Sequence, residues 1–215
     1  YLYEPDAVVT GAGEYYTKFT PYYNKVIRMK VESPKYMRRF NFTKTKTYDG
    51  NITIIEAYLK FTEPNPDILV NGGRDNGLKI LNDIGNFKSY GKTRNALDKE
   101  TTQLSAYMKF GNISVREIYE KMKSRLGVNS DLLRQIIWRE FYAQLLYHNP
   151  QVLGNPLKEK YGKIHWDKNA KHLNAWKMGM TGFPIVDAGM RELNATGYMH
   201  NRARLITASF LIKTL

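Results

Sequence analysis

The chain has 215 residues, enough for one well-buried core, and its 42% hydrophobic and 25% charged residues are ordinary for a globular protein. It has no cysteine, which excludes disulfides and thiolate metal sites, and its four histidines are scattered without a ligand spacing, so no metal is expected. A formal charge of +13 suits a polyanionic partner, nucleic acid before an anionic membrane, or serves solubility alone.

The longest nearly apolar run, 205–212, is far short of the ~20 residues of a membrane span. No signal peptide is seen either, so a soluble intracellular protein is expected, its compartment open. The first 20 residues read as an irregular segment punctuated by Pro5, Gly11 and Gly13. A helix is expected to start near Phe19 to Tyr22, with Thr20 as its cap and Pro21 at its first position. Residues 33–71 read as a long polar connector with proline breaks at Pro34, Pro64 and Pro66 and a short strand over Ile52 to Ile55. Its basic cluster, Arg38, Arg39, Lys44 and Lys46, serves either DNA or a solvated linker.

Leu78, Leu81, Ile84 and Phe87 at i, i+3 mark one buried helical face within 77–90. Tyr90 follows, and then the run Thr101, Thr102, Gln103, Leu104, Ser105. Three hydroxyls and free backbone amides beside a helix start form a nest for phosphate oxygens, or serve only as caps and turns. Ser114 to Glu117 spell a capping box for a helix that reaches about Leu126 and stops at Gly127. Ser130 caps the next helix, apolar over a wide face as far as Asn149-Pro150. Within it Gln135 and Trp138 share a face, beside Arg139 and Glu140. A tryptophan next to a hydrogen-bonding side chain suits a flipped base, which needs an aromatic surface to stack on and polar groups to read its edge. A core tryptophan has the same spacing. The loop 153–168, with Gly154, Pro156 and Gly162, carries Trp166, and Trp176, in a helix from near Asn169, reads as core.

Pro184 and Gly197 bracket a helix of about three and a half turns. Ile185, Gly189 and Leu193 recur at helical spacing, and a glycine there, costing ~1 kcal/mol against alanine, implies a close neighbour, in the simplest case another helix. From about Met199 a second helix begins polar and basic, with His200, Asn201, Arg202 and Arg204, and then turns apolar. Asn201 and Arg204 share a face, whereas Arg202 points about 100° away from Asn201. One helix end thereby offers an amide and a guanidinium to one ligand and a second guanidinium to another, or is a solvated helix start. Tyr1 stands where a methionine would begin and Leu215 closes an apolar pattern without a cap, so the chain is expected to be cut from a longer protein.

The segment PIVDAGMRELNATGYMHNRARLITASFL, preceded in order by VVTGAGEYYTKFTPYY, YGKTRNALDKETTQLSAYMKFGNIS and IIWREFYAQLLYHNP, resembles the DNA photolyase and cryptochrome family over almost the whole chain, in its cyclobutane pyrimidine dimer photolyase branch. The resemblance implies an all-α chain: an interdomain linker over 1–71, then over 72–215 the first part of the multi-helical FAD-binding and DNA-binding domain. On that reading the family's N-terminal α/β antenna domain and its C-terminal helices are expected to be absent from this chain. Implied with it are FAD as cofactor, an antenna chromophore left open, and damaged DNA carrying a pyrimidine dimer as partner. The implied reaction is light-driven: reduced FAD donates an electron that splits the dimer, and the electron returns. A polypeptide carrying the rest of the FAD domain is a further expected partner.

In that resemblance Tyr90, Thr101, Thr102, Gln103, Leu104 and Ser105 match residues around the flavin and its diphosphate, and Arg204 matches a flavin-site residue. Trp138 matches the residue that stacks on the dimer, Asn201 an amide that contacts it, and Arg202 a contact to DNA phosphate. Arg139 and Leu205 fall among the same lesion and DNA contacts. Gln135 takes the place of a catalytic glutamate, and Trp166 matches the outermost member of a tryptophan chain that feeds electrons to the flavin. The family usually has arginine at Gln103, proline at Ala106, glutamate at Gln135 and methionine at Leu205. Glutamine cannot supply a proton, so slowed repair, altered lesion choice or none is expected. The alternative reading is a cryptochrome-like photoreceptor or a non-catalytic, split or degenerate photolyase, and the chain is expected to be inactive alone.

Overall fold

The computed structural model describes residues 1–35 and 50–215. The basic cluster Arg38, Arg39, Lys44 and Lys46 lies outside them. The described residues are helical apart from turns and one isolated antiparallel bridge between Val9 and Tyr15, as expected of an all-α chain. None of the described helices is long and apolar enough to cross a membrane.

The core is built around one long helix. Helix α1 spans Phe19–Val26, α2 Ile54–Phe61, α3 Arg74–Asn82, α4 Tyr90–Thr93, α5 Leu104–Lys109, α6 Val115–Leu126 and α7 Asp131–His148. Ser130 starts α7 by accepting from the Leu133 amide, and its apolar positions recur on more than one face. A helix of that kind needs neighbours on several sides. Leu133, Ile136, Ile137 and Phe141 are buried among Ile118, Tyr119 and Met122 of α6 and Phe19, Tyr22 and Val26 of α1. Leu2, Tyr3 and Val8 enter the same core, so the first residues of the chain pack as interior.

Local signals are overridden where a distant residue competes for them. Helix α1 begins at Phe19 after an uncapped Lys18, leaving Thr20 and Pro21 inside the first turn, because Phe19 is buried against α7. The expected strand at Ile52 to Ile55 is instead the start of α2. Thr53 accepts from the Glu56 amide and Glu56 from the Thr53 amide, a reciprocal cap that outweighs the β-branched run. The expected box at Ser114 is half formed: Ser114 accepts from Arg116, while Glu117 is drawn into a two-bond fork with Arg74 on α3. The single face expected over 77–90 is cut after Asn82 and continues as a 3₁₀ turn at Ile84–Phe87, which keeps Leu81 and Ile84 buried.

A second layer consists of α8 (Ala170–Met178), α9 (Pro184–Thr196) and α10 (Asn201–Lys213). Asn169 caps α8, Gly197 ends α9 in the left-handed region at φ 69°, and His200 caps α10 with Nδ1 accepting from the Arg202 amide. Helices α9 and α10 touch at Gly189, where a methyl group would sit 3.1 Å from Thr207 Cγ2 and 3.3 Å from Ala203 Cβ. The close neighbour expected of that glycine is therefore α10. Ile185 and Leu193, expected on the same buried face, are exposed; Val186, Asp187 and Met190 are buried in their place. Trp176 is half-buried against Met190, Met199 and Ala203 and donates its indole N–H to the Thr207 carbonyl, tying α8 to α10.

Asp187 fixes the turn between α8 and α9. Its Oδ1 accepts from the Thr181 amide at 2.8 Å and hydroxyl at 2.6 Å, and Oδ2 from the Gly182 amide at 2.9 Å. These bonds, the Thr181 hydroxyl first, hold the carboxyl below the ordinary carboxylate range. A depressed carboxyl contributes stability that is present above its unfolded value of about 4 and lost as pH falls through the lower folded value. In thermal melts, wild type should exceed Asp187→Asn at neutral pH, and the gap should shrink on acidification below about pH 4. A gap independent of pH would contradict this clamp.

Candidate functional site

The run 101–105 forms a turn that delivers the chain into α5. Gln103, immediately before α5, has φ 53° and ψ 7°, the only positive φ at a non-glycine residue among those described. That conformation costs a side-chain-bearing residue roughly 1–2 kcal/mol. It also folds consecutive amides and the hydroxyls of Thr101, Thr102 and Ser105 around one small volume. Thr102 accepts from the Leu104 amide, Leu104 is buried beneath the turn, and Thr101 shares a 2.8 Å hydrogen bond with the Tyr198 hydroxyl. Within the turn the Leu104 amide is taken by Thr102 and the Ala106 amide by the Gln103 carbonyl.

Two other elements close the volume. From α7 come Gln135 and Arg139. Gln135 donates one Nε2 hydrogen to its own helix at the Asp131 carbonyl, 3.2 Å away, which leaves its amide oxygen and a second N–H to meet a ligand. Arg139 donates Nη1 to the neighbouring Glu140. From the first turn of α10 come Asn201 and Arg204, side by side as their spacing predicts. Tyr90 completes the wall, its hydroxyl held above the ordinary tyrosine range chiefly by burial, with nearby Arg94 opposing, so that it remains a neutral donor.

The resulting cavity has a volume of about 260 Å³ and an apolar floor that includes Met122, Leu132 and Ile136. Among the described residues, hydroxyls and two guanidinium groups line it, and no carboxylate does. Such a set recognises an anion with several oxygens, which hydroxyls, amides and a planar guanidinium can bond simultaneously. Tyr90, Thr101, Thr102, Gln103, Leu104, Ser105, Gln135, Arg139, Asn201 and Arg204 thus come together from segments far apart in the sequence.

Four of the expected residues stand elsewhere. Arg202 is not among the residues that line the cavity, and it bonds the Asn95 side-chain oxygen in the loop after α4 while remaining near Tyr90. Trp138 is stacked on Phe19, with ring centroids 3.6 Å apart and planes within 5°, and also meets Tyr142 at 5.5 Å. Leu205 is exposed on α10. Trp166 is exposed beside a separate apolar groove of about 480 Å³ that includes Leu173, Leu211 and Ile212. Sequence reasoning missed Tyr198 and Asn95, whose roles depend on partners 97 and 107 residues away. Its position one residue after the Gly197 cap was the only local signal for Tyr198.

Residues 132–215 match the family described as the FAD binding domain of DNA photolyase. A deoxyribodipyrimidine photo-lyase of Alkalihalophilus pseudofirmus is 33% identical over 100% of this chain and 47% of its own length. The crystal structure of an archaeal photolyase from Sulfolobus tokodaii with two FAD molecules superposes with a TM-score of 0.76, at 33% identity over 98% of this chain and 46% of the other. A bacterial class III photolyase from Agrobacterium tumefaciens gives a TM-score of 0.83, at 30% identity over 99% and 46%. The chain spans about half the length of the curated relatives it matches.

The Thr101–Tyr198 hydrogen bond joins the two halves of the cavity wall and can be isolated by a double-mutant cycle. Tyr198→Phe and Thr101→Val should each cost about 0.5–1.5 kcal/mol in denaturant unfolding, and the double variant little more than the larger single. Additive losses would show that the two hydroxyls act independently.

Proposed function

The chain belongs to the DNA photolyase and cryptochrome family, and on that footing we propose that its cavity holds the diphosphate of FAD as part of a flavin-dependent site for pyrimidine dimers in DNA. The observation that carries this reading is the lining itself: hydroxyls, a left-handed turn at Gln103 and two guanidinium groups, Arg204 and the Glu140-paired Arg139, with no carboxylate among the described lining residues. FAD supplies the photochemical electron chemistry when bound, and the protein supplies binding, orientation and electrostatics. Thr101, Thr102 and Ser105 offer hydroxyls and amides to the phosphate oxygens, and Arg204 places a full positive charge beside them. Tyr90 gives the cofactor an aromatic wall.

The division between Arg204 and Arg202 supports two ligands at one helix end. Arg204 lines the cavity with Asn201, whereas Arg202 is held by Asn95 outside the lining and is the guanidinium left for a DNA phosphate. The net charge of +13 strengthens attraction to such a backbone. Trp138, stacked on Phe19 and on Tyr142, has little ring face left to offer a flipped base. Gln135 keeps a donor and an acceptor but has no acidic proton to give, which favours altered lesion choice or weakened repair over efficient dimer splitting. Those two residues also support the second reading, a cryptochrome-like protein that keeps the cofactor and has lost repair.

A volume of about 260 Å³ is below the ~300–1,000 Å³ of ligand pockets in general and holds only part of a dinucleotide. The C-terminal half of helix α10 is rich in apolar residues, yet only Ala203 and Thr207 of the helix are buried while Leu205 and Ile212 are exposed. A further helical polypeptide, on the same chain or another, fits that face and would complete the cofactor site. FAD titrations followed by absorption, with and without the polypeptide matching the rest of a relative's length, test this. Arg204→Gln should weaken flavin binding about tenfold or more. Arg202→Gln should leave it unchanged while lowering the salt slope of DNA binding by about one. Flavin binding under neither condition would end the reading.

A further inference from the structure

Arg139 is held by a carboxylate that also fastens the beginning of the chain. Glu140 has a relative exposure of 1%, and its two oxygens are divided between two donors. Oε1 accepts from Arg139 Nη1 at 2.6 Å, and Oε2 accepts from the Leu2 amide at 2.7 Å, from a residue 138 positions away. Leu2 and Tyr3 are themselves core residues, and Arg116 on α6 holds the Tyr1 carbonyl from the other side at 3.0 Å. The carboxylate is therefore anchored by the packed N-terminal segment. Neither neighbouring tyrosine displaces it: Tyr3 donates its hydroxyl to the Val26 carbonyl, and burial keeps the Tyr3 and Tyr22 hydroxyls protonated.

The guanidinium so held is a partition. Arg139, together with Met108, lines the cavity of about 260 Å³ on one side and a second cavity of about 490 Å³, with Tyr1 and Lys35, on the other. A guanidinium carries five N–H donors in a rigid fork. One of these is committed to Glu140, and the Arg139 side chain retains 39% exposure from which the rest can reach a ligand. Adjacent residues on a helix diverge by about 100°, so the Arg139 side chain bends back to make this bond, and without an anchored acceptor it would be free to leave the wall.

We propose that Glu140 is a positioning residue that, braced by the Leu2 amide, fixes Arg139 as the dividing wall and anion-facing donor of the candidate site. A buried carboxylate with two donors stays in place, whereas a glutamine offers one acceptor and releases one of the two. The clamp exists without any ligand. Only the affinity arm of its test rests on the reading of the cavity as a diphosphate site.

Arginine side-chain proton–nitrogen NMR of the full chain reads the clamp directly. Arg139 should give resolved, slowly exchanging Nη signals in wild type, and Glu140→Gln should average them. Averaged Arg139 signals in wild type would overturn the proposal without recourse to any variant. In the affinity arm, inorganic pyrophosphate serves as probe. Glu140→Gln should lose about the same factor as Arg139→Gln, about tenfold, and the double variant should lose no more. A Glu140→Gln protein that melts earlier yet keeps wild-type pyrophosphate affinity and resolved Arg139 signals would show a purely structural carboxylate. Failure of wild type to bind pyrophosphate would count against the diphosphate reading, while the NMR arm still decides the clamp.

Discussion

Gly189 has no side chain, and the position of the site depends on that. With 3.1 Å separating a notional methyl from Thr207 and 3.3 Å from Ala203, even a methyl group would need its neighbours on α10 to give by a few tenths of an ångström. The contact of α9 with α10 permits the short link in which Gly197 reverses the chain at positive φ and His200 starts the next helix. Tyr198, inside that link, reaches Thr101, and the first turn of α10 then points at α5 and α7. Asp187 and Arg191 brace the other end of α9 by binding the 179–182 turn. The two helices act as a rigid bracket that brings Asn201 and Arg204 to residues a hundred positions earlier.

The cavity so formed assigns one kind of donor to each element. The turn before α5 provides hydroxyls and amides, α7 an amide oxygen and a clamped guanidinium, and α10 a second guanidinium with an amide. Strain is concentrated in the same place: Gln103 is the one described non-glycine residue held at positive φ. Backbone strain of that kind persists where surrounding packing over-determines it, and here Leu104 is buried directly below. The arrangement concentrates positive potential in a small, partly desolvated space, which favours a multiply charged oxyanion over a neutral ligand.

Much of the framework was legible because its signals are local. Ser130, Pro184, Gly127 and Gly197 bound the helices they were expected to bound, and the spacing of Asn201, Arg202 and Arg204 foretold which guanidinium shares the cavity and which leaves it. What was not legible depends on long-range partners. Glu117 would have completed a box with Ser114 had Arg74 not taken it, and nothing near Trp138 in the sequence announces that Phe19 covers one of its faces. The Glu140–Leu2 bond, the Arg202–Asn95 bond and the Thr101–Tyr198 bond belong to the same class. The reciprocal cap between Thr53 and Glu56 was readable by spacing and was masked by the apolar, β-branched run beside it. Ile185 and Leu193 are exposed because the contact with α10 at Gly189 selects a different stripe of α9 for burial.

The most direct test of the cavity's role is where a diphosphate settles. Crystals of the chain grown with FAD, together with the polypeptide that completes a relative's length, would locate it by diffraction. The geometry predicts phosphate oxygens within hydrogen-bonding distance of the Thr101 to Ser105 turn, with Arg204 alongside. A diphosphate seated away from that turn, with the cavity holding only water, would contradict it.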